Sequence, residues 1–181
     1  MTLQENIQAE VLRLQGPIVV FGAGGFIGAN LVRQLLQYRD DVFAVTSKPF
    51  VPWRLDDINP KHILHCNITK KEQVTRLFDE HAFKTIFDLA AYGAYSKQND
   101  TKLIYETNLM GLLNILETAS QYSVRSVVHA GSSSEYGLNA AAPKEDAPLL
   151  PNSHYAVTKA GAAHLIKYYG TLHEMPVVNL R

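Results

Sequence analysis

Short apolar runs alternate with longer amphipathic segments along the whole chain. The apolar runs predict six strands, at residues 17–21, 42–45, 62–66, 85–89, 126–130 and 176–180. Apolar residues at helical spacing predict helices at residues 3–14, from a glycine-rich turn to about residue 38, and at 70–81, 101–122 and 155–172. Strands that alternate with helices in this way favour parallel strands joined by right-handed crossovers. The sequence therefore predicts an α/β fold built on a doubly wound parallel sheet.

The pattern also divides the chain into a short extension and one domain. Residues 1–16 are predicted to form an N-terminal helical extension, with Ile7, Val11 and Leu14 along one face and a break at Gly16-Pro17. Residues 17–181 are then one domain, because the chain is long enough for a single sizeable core. The N-terminus does not resemble a secretory signal, and no stretch approaches the roughly 20 apolar residues that span a bilayer.

Composition bears on the classes of partner and on the cellular compartment to be expected. Seventeen basic residues balance seventeen acidic ones, so net charge gives no support for a nucleic-acid or membrane-surface partner. The single cysteine, Cys66, cannot form a disulfide within the chain, and a reducing, cytoplasmic location is expected.

A glycine-rich segment follows the first predicted strand and opens the first helix of the domain. Gly22, Gly25 and Gly28 have the spacing G-x-x-G-x-x-G. Such glycines permit a tight turn and close approach of the backbone to a pyrophosphate, and the helix N-terminus offers free N–H groups to the anion. The strand–turn–helix context predicts a Rossmann-type NAD(P)-binding domain over residues 17–181; the alternative is a tight turn with no ligand.

The end of the second predicted strand bears on the choice between NAD and NADP. An acidic residue commonly stands there to bind the ribose 2′-hydroxyl, but Asp40 and Asp41 precede the strand and lie at its wrong end. Ser47 and Lys48 follow the strand and would tolerate or bind a 2′-phosphate, with Arg54 a more distant candidate. The sequence thus leans towards NADP, while an ordinary solvated loop lysine is the alternative.

Candidate catalytic residues lie after the fifth predicted strand. Tyr155 and Lys159 are four residues apart on a predicted helix and share one face. A tyrosine is a poor acid or base at neutral pH, and a neighbouring ammonium favours its phenolate form. The loop that precedes this helix contains three consecutive serines, 132–134, any of which could bond a substrate carbonyl or hydroxyl. A pair of exposed helix residues is the alternative interpretation of Tyr-x-x-x-Lys.

Taken together, these motifs resemble the extended short-chain dehydrogenase/reductase superfamily, in its NAD-dependent epimerase/dehydratase branch that acts on nucleotide sugars. The resemblance covers about residues 17–181. It rests on the glycine motif, Asn67-Ile68, Leu89-Ala-Ala91, Asn108-Leu-Met-Gly111, Ser-Ser-Ser-Glu-Tyr-Gly137, Tyr155-Ala-Val-Thr-Lys159 and Asn179-Leu-Arg181.

The resemblance implies roles for individual residues. Tyr155 would be the acid/base and Lys159 its partner. Counting back from Gly137 places the catalytic hydroxyl at Ser132, or at Ser133 if the loop is one residue shorter than usual. The family usually has aspartate where Asn67 stands. Ser47 and Lys48, which follow the second strand, are included among the residues expected to bind the cofactor. The full set is Gly22, Gly25, Phe26, Ile27, Gly28, Ser47, Lys48, Asn67, Ile68, Leu89, Ala90, Ala91, Asn108, Tyr155 and Lys159.

The same loop bears on the type of reaction. Sugar 4,6-dehydratases of this superfamily carry Asp-Glu directly after the catalytic hydroxyl, whereas Ser133 and Ser134 stand there in this chain, with Glu135 one residue further on. The resemblance therefore favours an NAD(P)-dependent epimerase or 4-ketoreductase over a dehydratase.

Other features allow a functional and an ordinary interpretation. Within the third predicted strand, the spacing of His62 and His65 places them on opposite faces, so no metal site is expected there even with Cys66 adjacent. His129 and His154 could contact substrate or be ordinary hydrogen-bonded residues. Tyr92 and Tyr95 could line the sugar site or simply pack on the surface.

The chain stops at Arg181, where the sixth predicted strand ends. Members of the family continue into a smaller lobe that closes over the nucleotide sugar, so the chain is a shortened form, part of a longer gene product or a reduced protein. The resemblance also implies a homodimer through helices 101–122 and 155–172. Two functions stay open: the catalytic core of an enzyme, or a dinucleotide-binding sensor or scaffold without catalysis. A complete Ser–Tyr–Lys set favours the enzyme.

Overall fold

The computed structural model describes residues 2–139 and 141–181. Within them lies one six-stranded sheet in the order β3-β2-β1-β4-β5-β6, in which every neighbouring pair is parallel. The strands are β1 (Ile18–Phe21), β2 (Val42–Thr46), β3 (Ile63–His65), β4 (Thr85–Asp88), β5 (Ser126–Ala130) and β6 (Val177–Leu180). The predicted doubly wound parallel sheet is therefore confirmed. Its strand order reverses between β1 and β4, the place where such sheets form a ligand-binding crevice.

Six α-helices flank the sheet in the described residues. They are α1 (Leu3–Arg13), α2 (Phe26–Leu36), α3 (Lys71–His81), α4 (Thr101–Tyr105), α5 (Leu112–Ala119) and α6 (His154–Leu172). Short 3-10 turns lie at Trp53–Leu55, Pro60–His62 and Ser133–Tyr136. None of the helices in residues 2–139 and 141–181 is both long and apolar enough to cross a membrane.

Each face of the sheet buries its own apolar core. Alternate residues of a strand point to opposite faces, so Val19 and Phe21 join one core while Ile18 and Val20 join the other. The first core also contains residues of α3, α5 and α6, and the second contains residues of α2 together with Val11 of α1. β1 is buried along its whole length, as its unbroken apolar run predicts. The proposed division between residues 1–16 and 17–181 stays a prediction.

The prediction of one long helix at residues 101–122 is wrong in two respects. It is interrupted by a π-helical turn at Glu106–Gly111, and it ends at Ala119. The periodicity continues to Tyr122, but this ring packs on Phe78 at 5.4 Å between centroids after the chain has left the helix. Apolar spacing alone cannot separate a helical turn from a loop that folds back on the same core.

β6 forms one edge of the sheet. Its side chains alternate between half-buried and exposed, with Val178 and Leu180 exposed. Val177 packs against the first core. One face of β6 is therefore covered, whereas the other presents apolar side chains to solvent.

Candidate active site

The glycine-rich loop connects β1 to α2 at the carboxyl edge of the sheet. Gly25 is the N-cap residue of α2 and supplies no side-chain cap. Since the first turn of a helix lacks intrahelical acceptors, the N–H groups of Phe26, Ile27 and Gly28 are available at this end. Both Phe26 and Ile27 are exposed although apolar, so nothing in the described residues covers the helix N-terminus. The loop fits a pyrophosphate, because free N–H groups and the helix dipole favour an anion.

Two of the glycines are required by close backbone contacts. Gly22 has φ +74°, and a Cβ there would lie 2.6 Å from Ala90 N and 2.7 Å from Leu89 O. At Gly28 a Cβ would lie 2.5 Å from Gly22 O and 2.7 Å from the Cα of Ala23. The loop thus folds against itself and against the segment after β4, which brings the predicted residues Leu89 and Ala90 beside the phosphate loop. Ala91 follows and is exposed.

The end of β2 also meets the phosphate loop. A Cβ at Gly24 would lie 2.9 Å from Pro52 Cγ and 3.7 Å from Thr46 Oγ1, so the residues around Pro52 form one wall of the crevice. Ser47 and Lys48 are exposed, and the backbone N–H of Lys48 donates to Thr46 Oγ1 at 3.3 Å. Because these two residues lie next to the phosphate loop, they are positioned to contact a substituent on the adenosine ribose of a dinucleotide.

An aromatic residue stands next to this wall. Trp53 is 71% exposed, and the Arg54 guanidinium lies over its ring, 4.3 Å from the centroid. Arg33 of α2 holds the segment by donating to Arg54 O at 2.6 Å. Trp53 is the only tryptophan of the chain, so its fluorescence reports on this part of the crevice.

Asn67 and Ile68 occupy the loop after β3. Asn67 Oδ1 accepts hydrogen bonds from the backbone N–H and the hydroxyl of Thr69, at 3.1 and 3.0 Å. The side chain therefore shapes its own loop, as an aspartate would. Ile68 is buried in the first core, where a Cβ on Gly111 would lie 2.6 Å from Ile68 Cδ1. Of this pair, the half-buried Asn67 is the residue with side-chain surface left to offer a ligand.

Asn108 joins three parts of the site. Its side chain is buried within the π-helical turn and accepts from Tyr92 N at 2.8 Å. Its amide donates to Tyr92 O at 2.8 Å and to Thr158 Oγ1 at 3.0 Å. Asn108 thus ties the segment after β4 to α6, as expected of a supporting residue. Tyr92 is consequently anchored through its backbone, whereas Tyr95 is exposed.

The serine loop begins where β5 ends. Ser132 is half-buried and caps the 3-10 turn, with its Oγ accepting from Ser134 N at 3.1 Å. Ser133, the alternative candidate, is exposed at the start of that turn. Glu135 is completely buried, and its Oε1 accepts from the backbone N–H of Ser132 at 2.8 Å. The Glu135 carboxylate therefore points into the protein and fixes the serine loop through the backbone N–H of Ser132.

Tyr155 and Lys159 lie in the first two turns of α6. Ser153 caps this helix by accepting from Ala156 N at 3.1 Å, so its start is fixed directly before Tyr155. Lys159 is 2% exposed and donates from Nζ to Ala130 O at 2.8 Å. Its ammonium lies 6.0 Å from the centroid of the Tyr155 ring. The lysine therefore connects the tyrosine's helix to the end of β5, from which the serine loop starts.

The charge of Lys159 is balanced by two buried carboxylates. Burial lowers the pKa of the Lys159 ammonium from its ordinary value, and the negative charges of Asp88 and Glu135 oppose this shift. A buried cation without counter-charges would tend to lose its proton. The two carboxylates thus favour the charged form that Lys159 needs in order to act on a neighbouring phenol.

Asp88 did not emerge from the sequence as part of the site, and the two histidines that could have contacted substrate, His129 and His154, have other partners. Asp88 and His129 are each 1% exposed and form a pair, with His129 Nδ1 2.8 Å from Asp88 Oδ2. His129 is therefore hydrogen-bonded inside the protein and has no surface for a substrate. His154 is exposed and its Nδ1 lies 3.3 Å from the Tyr105 hydroxyl. A polar residue near the carboxyl end of each of two strands, Asp88 of β4 and His129 of β5, was the available signal, but strand register is needed to pair them.

The histidines near Cys66 do not form a metal site. Contrary to the prediction, His62 lies in the 3-10 turn that precedes β3, where its Nδ1 is 3.0 Å from Val42 O. His65 Nδ1 is 2.6 Å from Lys48 O. In residues 2–139 and 141–181, no group of three or more His, Cys, Asp or Glu side chains is arranged to hold a metal ion.

Cys66 is expected to resist thiol reagents until the protein unfolds. It is 3% exposed, and burial raises the pKa of its thiol to about 11, so only a very small fraction is thiolate at neutral pH. Alkylation followed by mass spectrometry in increasing urea measures this. Modification should follow the unfolding transition, and rapid stoichiometric labelling in buffer alone would contradict the buried position.

Known proteins resemble this chain along most of its length. The model of the NAD dependent epimerase/dehydratase family matches residues 18–181. Protein CapI of Staphylococcus aureus is 28% identical over 176 residues, which cover 91% of this chain and 52% of CapI. The UDP-glucose 4-epimerase of Thermus thermophilus, solved in complex with NAD, is 29% identical with a TM-score of 0.80 over 91% of this chain and 54% of that one.

A further solved structure extends over the N-terminal helix. The epimerase Mth375 of Methanothermobacter thermautotrophicus is 26% identical with a TM-score of 0.86, covering 99% of this chain and 55% of its own. The chain spans about half the length of the curated relatives it matches. Since the family model matches nearly all of the chain from β1 onward, the protein belongs to the NAD-dependent epimerase/dehydratase family of extended short-chain dehydrogenases/reductases.

Proposed function

We propose that the chain is the cofactor-binding catalytic core of an NAD(P)-dependent epimerase or 4-ketoreductase that acts on a nucleotide sugar. The observation that carries this proposal is the contact of Lys159 Nζ with Ala130 O at 2.8 Å, which joins the Tyr155 helix to the start of the serine loop. Tyrosine, lysine and serine are thereby gathered at the edge of the sheet that also holds the phosphate loop. A module that only binds a dinucleotide has no need of the complete set.

Each residue of the set has a definite chemical task in this proposal. Tyr155 takes a proton from a sugar hydroxyl, or returns one to a carbonyl, while Ser132 hydrogen-bonds the same oxygen. Lys159 supplies a fixed positive charge near the phenol, and Asn108 holds α6 in place through Thr158. A bound dinucleotide would supply the hydride acceptor or donor. Orientation by these groups provides much of the rate, since it replaces the entropy cost of collision.

The proposal favours epimerase or reductase chemistry over dehydration. A 4,6-dehydration requires an acid and a base beyond the tyrosine, but Ser133 and Ser134 follow Ser132 and carry no carboxylate. Glu135 is the nearest carboxylate along the loop, and it is completely buried against Ser132 N, so it is not placed to reach a sugar. Robust conversion of an NDP-glucose to its 4-keto-6-deoxy product would refute this preference.

The direct test offers candidate NDP-sugars together with NAD(P) to the full chain. Epimerisation is followed by NMR of the sugar, and ketoreduction by the loss of absorbance of the reduced cofactor. We expect sugar-dependent turnover that requires Tyr155. Dinucleotide binding without turnover for any sugar would instead favour the second candidate, a sensor or scaffold, for which the exposed helix N-terminus at Phe26 and Ile27 is sufficient.

NADPH is proposed to bind more tightly than NADH. The support is positional: Ser47 and Lys48 are exposed where β2 ends, and Pro52 and Thr46 place this end against the phosphate loop. Binding is measured by the change of Trp53 fluorescence on titration with each cofactor. Ser47→Asp should reverse the preference because a carboxylate repels a 2′-phosphate, and Lys48→Ala should weaken only NADPH. Equal or tighter binding of NADH by the unmodified chain would overturn the proposal.

A homodimer is proposed as the working form. α6 packs against α4 and the π-helical turn, so these segments share one outer surface. Apolar side chains are exposed on them, at Met110, Val157, Tyr168 and Leu172. Light scattering of the purified chain measures the mass, and a monomer at all concentrations would contradict the dimer. A cytoplasmic location stays a prediction from the single free cysteine.

A further inference from the structure

A row of polar side chains crosses three neighbouring strands near their carboxyl ends. Asp88 of β4 is paired in register with His129 of β5, and His129 is paired with Asn179 of β6. Paired residues of parallel strands point to the same face of a sheet, so the three side chains stand side by side on one face. That face is otherwise covered by the first apolar core, which makes a polar row there costly unless it is hydrogen-bonded.

Both ends of the row have partners. At one end His129 Nδ1 lies 2.8 Å from Asp88 Oδ2. At the other end the Asn179 amide lies 3.4 Å from both carboxylate oxygens of Glu135. Glu135 in turn accepts from Ser132 N at 2.8 Å and lies 3.7 Å from the Arg181 guanidinium. The row therefore leads from the strand end of Asp88 to the serine loop.

The middle of the row contains two buried atoms that lack partners. In the part of the chain that the structure describes, four buried side-chain polar atoms make no hydrogen bond, and two of them are His129 Nε2 and Asn179 Oδ1. These two belong to the neighbouring residues of the row. Nδ1 of the imidazole is already used by Asp88 of β4, and Asn179 of β6 is the neighbour of His129 on its other side. Leaving such atoms unsatisfied would carry the desolvation cost of each without a compensating hydrogen bond.

We propose that one internal water donates to His129 Nε2 and Asn179 Oδ1 and completes a continuous polar chain from Asp88 to Glu135. We further propose that this chain positions Lys159 and the Ser132 loop, a role that rests on the proposed function. The Nδ1–H tautomer of His129 fits both neighbours, since it donates to Asp88 and accepts at Nε2. A water has two protons to donate, which matches the two unsatisfied acceptors on these adjacent side chains.

The connection to the active site is made by both ends of this polar chain. Asp88 and Glu135 are the two carboxylates whose charges act on Lys159, and Lys159 Nζ bonds the carbonyl of Ala130, next to His129. Glu135 also packs directly under the loop: a Cβ on Gly131 would lie 2.5 Å from Glu135 Oε1 and 2.6 Å from Asn179 Oδ1. A shift of Asn179 would therefore move the carboxylate that fixes Ser132.

The test replaces the member of the row that is least buried. Asn179→Ala removes the bridging acceptor but leaves the Asp88–His129 and Glu135–Ser132 contacts. Val178→Ala is the matched control, because it shortens the adjacent side chain of the same strand on the opposite, exposed face. Thermal unfolding of both variants establishes that each is folded. Should Asn179→Ala fail to fold, Asn179→Ser keeps a small polar side chain and takes its place.

The readout is the side-chain NMR spectrum of the histidines, in which His129 is assigned among seven by its loss in His129→Gln. In the unmodified chain we expect one tautomer, a slowly exchanging Nδ1 proton and a cross-peak from the ring to a bound water. In Asn179→Ala the cross-peak should vanish and exchange should accelerate, whereas Val178→Ala should match the unmodified chain. An Asn179→Ala spectrum identical to that of the unmodified chain would overturn the proposal.

Kinetics separate this inference from the proposed function. If the unmodified chain turns over sugar, Asn179→Ala should lower kcat several-fold with KM and dinucleotide affinity unchanged, since it disturbs Lys159 and Ser132 rather than the crevice. An unchanged kcat would overturn the positioning role. If the unmodified chain shows no turnover while the NMR signature behaves as expected, the water-bridged row stands and the proposed function fails.

Discussion

Replacing Gly22 with alanine is expected to abolish dinucleotide binding and to destabilise the fold. The residue has φ +74°, where a side chain is strained, and the new Cβ would lie 2.6–2.7 Å from the backbone of Leu89 and Ala90. This backbone directly follows β4 and is held by the hydrogen bond from Leu89 N to Phe21 O at 3.1 Å, so it has little room to move away. A strained residue costs about 1–3 kcal/mol, which corresponds to a fall in Tm of roughly 2–12 °C for a chain of this size, and the clash adds to it.

Gly25→Ala provides the matched control in the same loop. At Gly25 φ is −76°, and within the described part of the chain a new Cβ would have one close contact, Gly22 O at 3.2 Å. The fold should therefore keep its Tm, while a methyl group beside the helix N-terminus weakens cofactor binding. Trp53 fluorescence and thermal unfolding measure the two effects separately. If Gly22→Ala bound NADPH as the unmodified chain does, the phosphate loop would have been assigned wrongly.

Tyr155→Phe is expected to lower kcat by about 10²–10⁴ once a substrate is found, with a far smaller effect on cofactor affinity. The hydroxyl is the only group removed, and the start of α6 does not depend on it. That start depends instead on the cap by Ser153, and the packing of the helix depends on buried residues such as Ala156 and Thr158. The effect should therefore be confined to proton transfer.

Tyr105→Phe is the control for this variant. Tyr105 is also half-buried and lies near the start of α6, where its hydroxyl is 3.3 Å from His154 Nδ1. The Tyr105→Phe variant should retain the turnover of the unmodified chain. Comparable losses in both variants would mean that the phenol of Tyr155 has no special part in the reaction, and the catalytic proposal would fail.

The parts of the fold that depend on neighbouring residues along the chain were predictable. Six strands, the helices between them and the glycine turn follow from local periodicity and from the restricted chemistry of a phosphate-binding loop. Tyr155 and Lys159 belong to the same group, because a spacing of four on a helix fixes their common face. The π-helical turn around Asn108 left no such local signal, and the helix prediction passed over it.

The parts that depend on strand register were beyond the sequence. Glu135 stands in the polar run SSSEYG and gives no local sign of burial, since its partner Asn179 lies 44 residues further along the chain. Asp88 and His129 are 41 residues apart and become a pair only when β4 and β5 align. Local propensity describes one segment at a time, whereas a buried ionisable network is a property of several segments packed together.

The open edge at β6 has a practical consequence for handling the chain. The outer backbone N–H and C=O groups of an edge strand can pair with another strand, and here Val178 and Leu180 add an apolar face beside them. Concentrated samples are therefore expected to associate edge to edge and lose solubility. Leu180→Lys would place a charge on this edge and should keep the chain soluble. The crevice between β1 and β4 lies away from this edge and should not be disturbed.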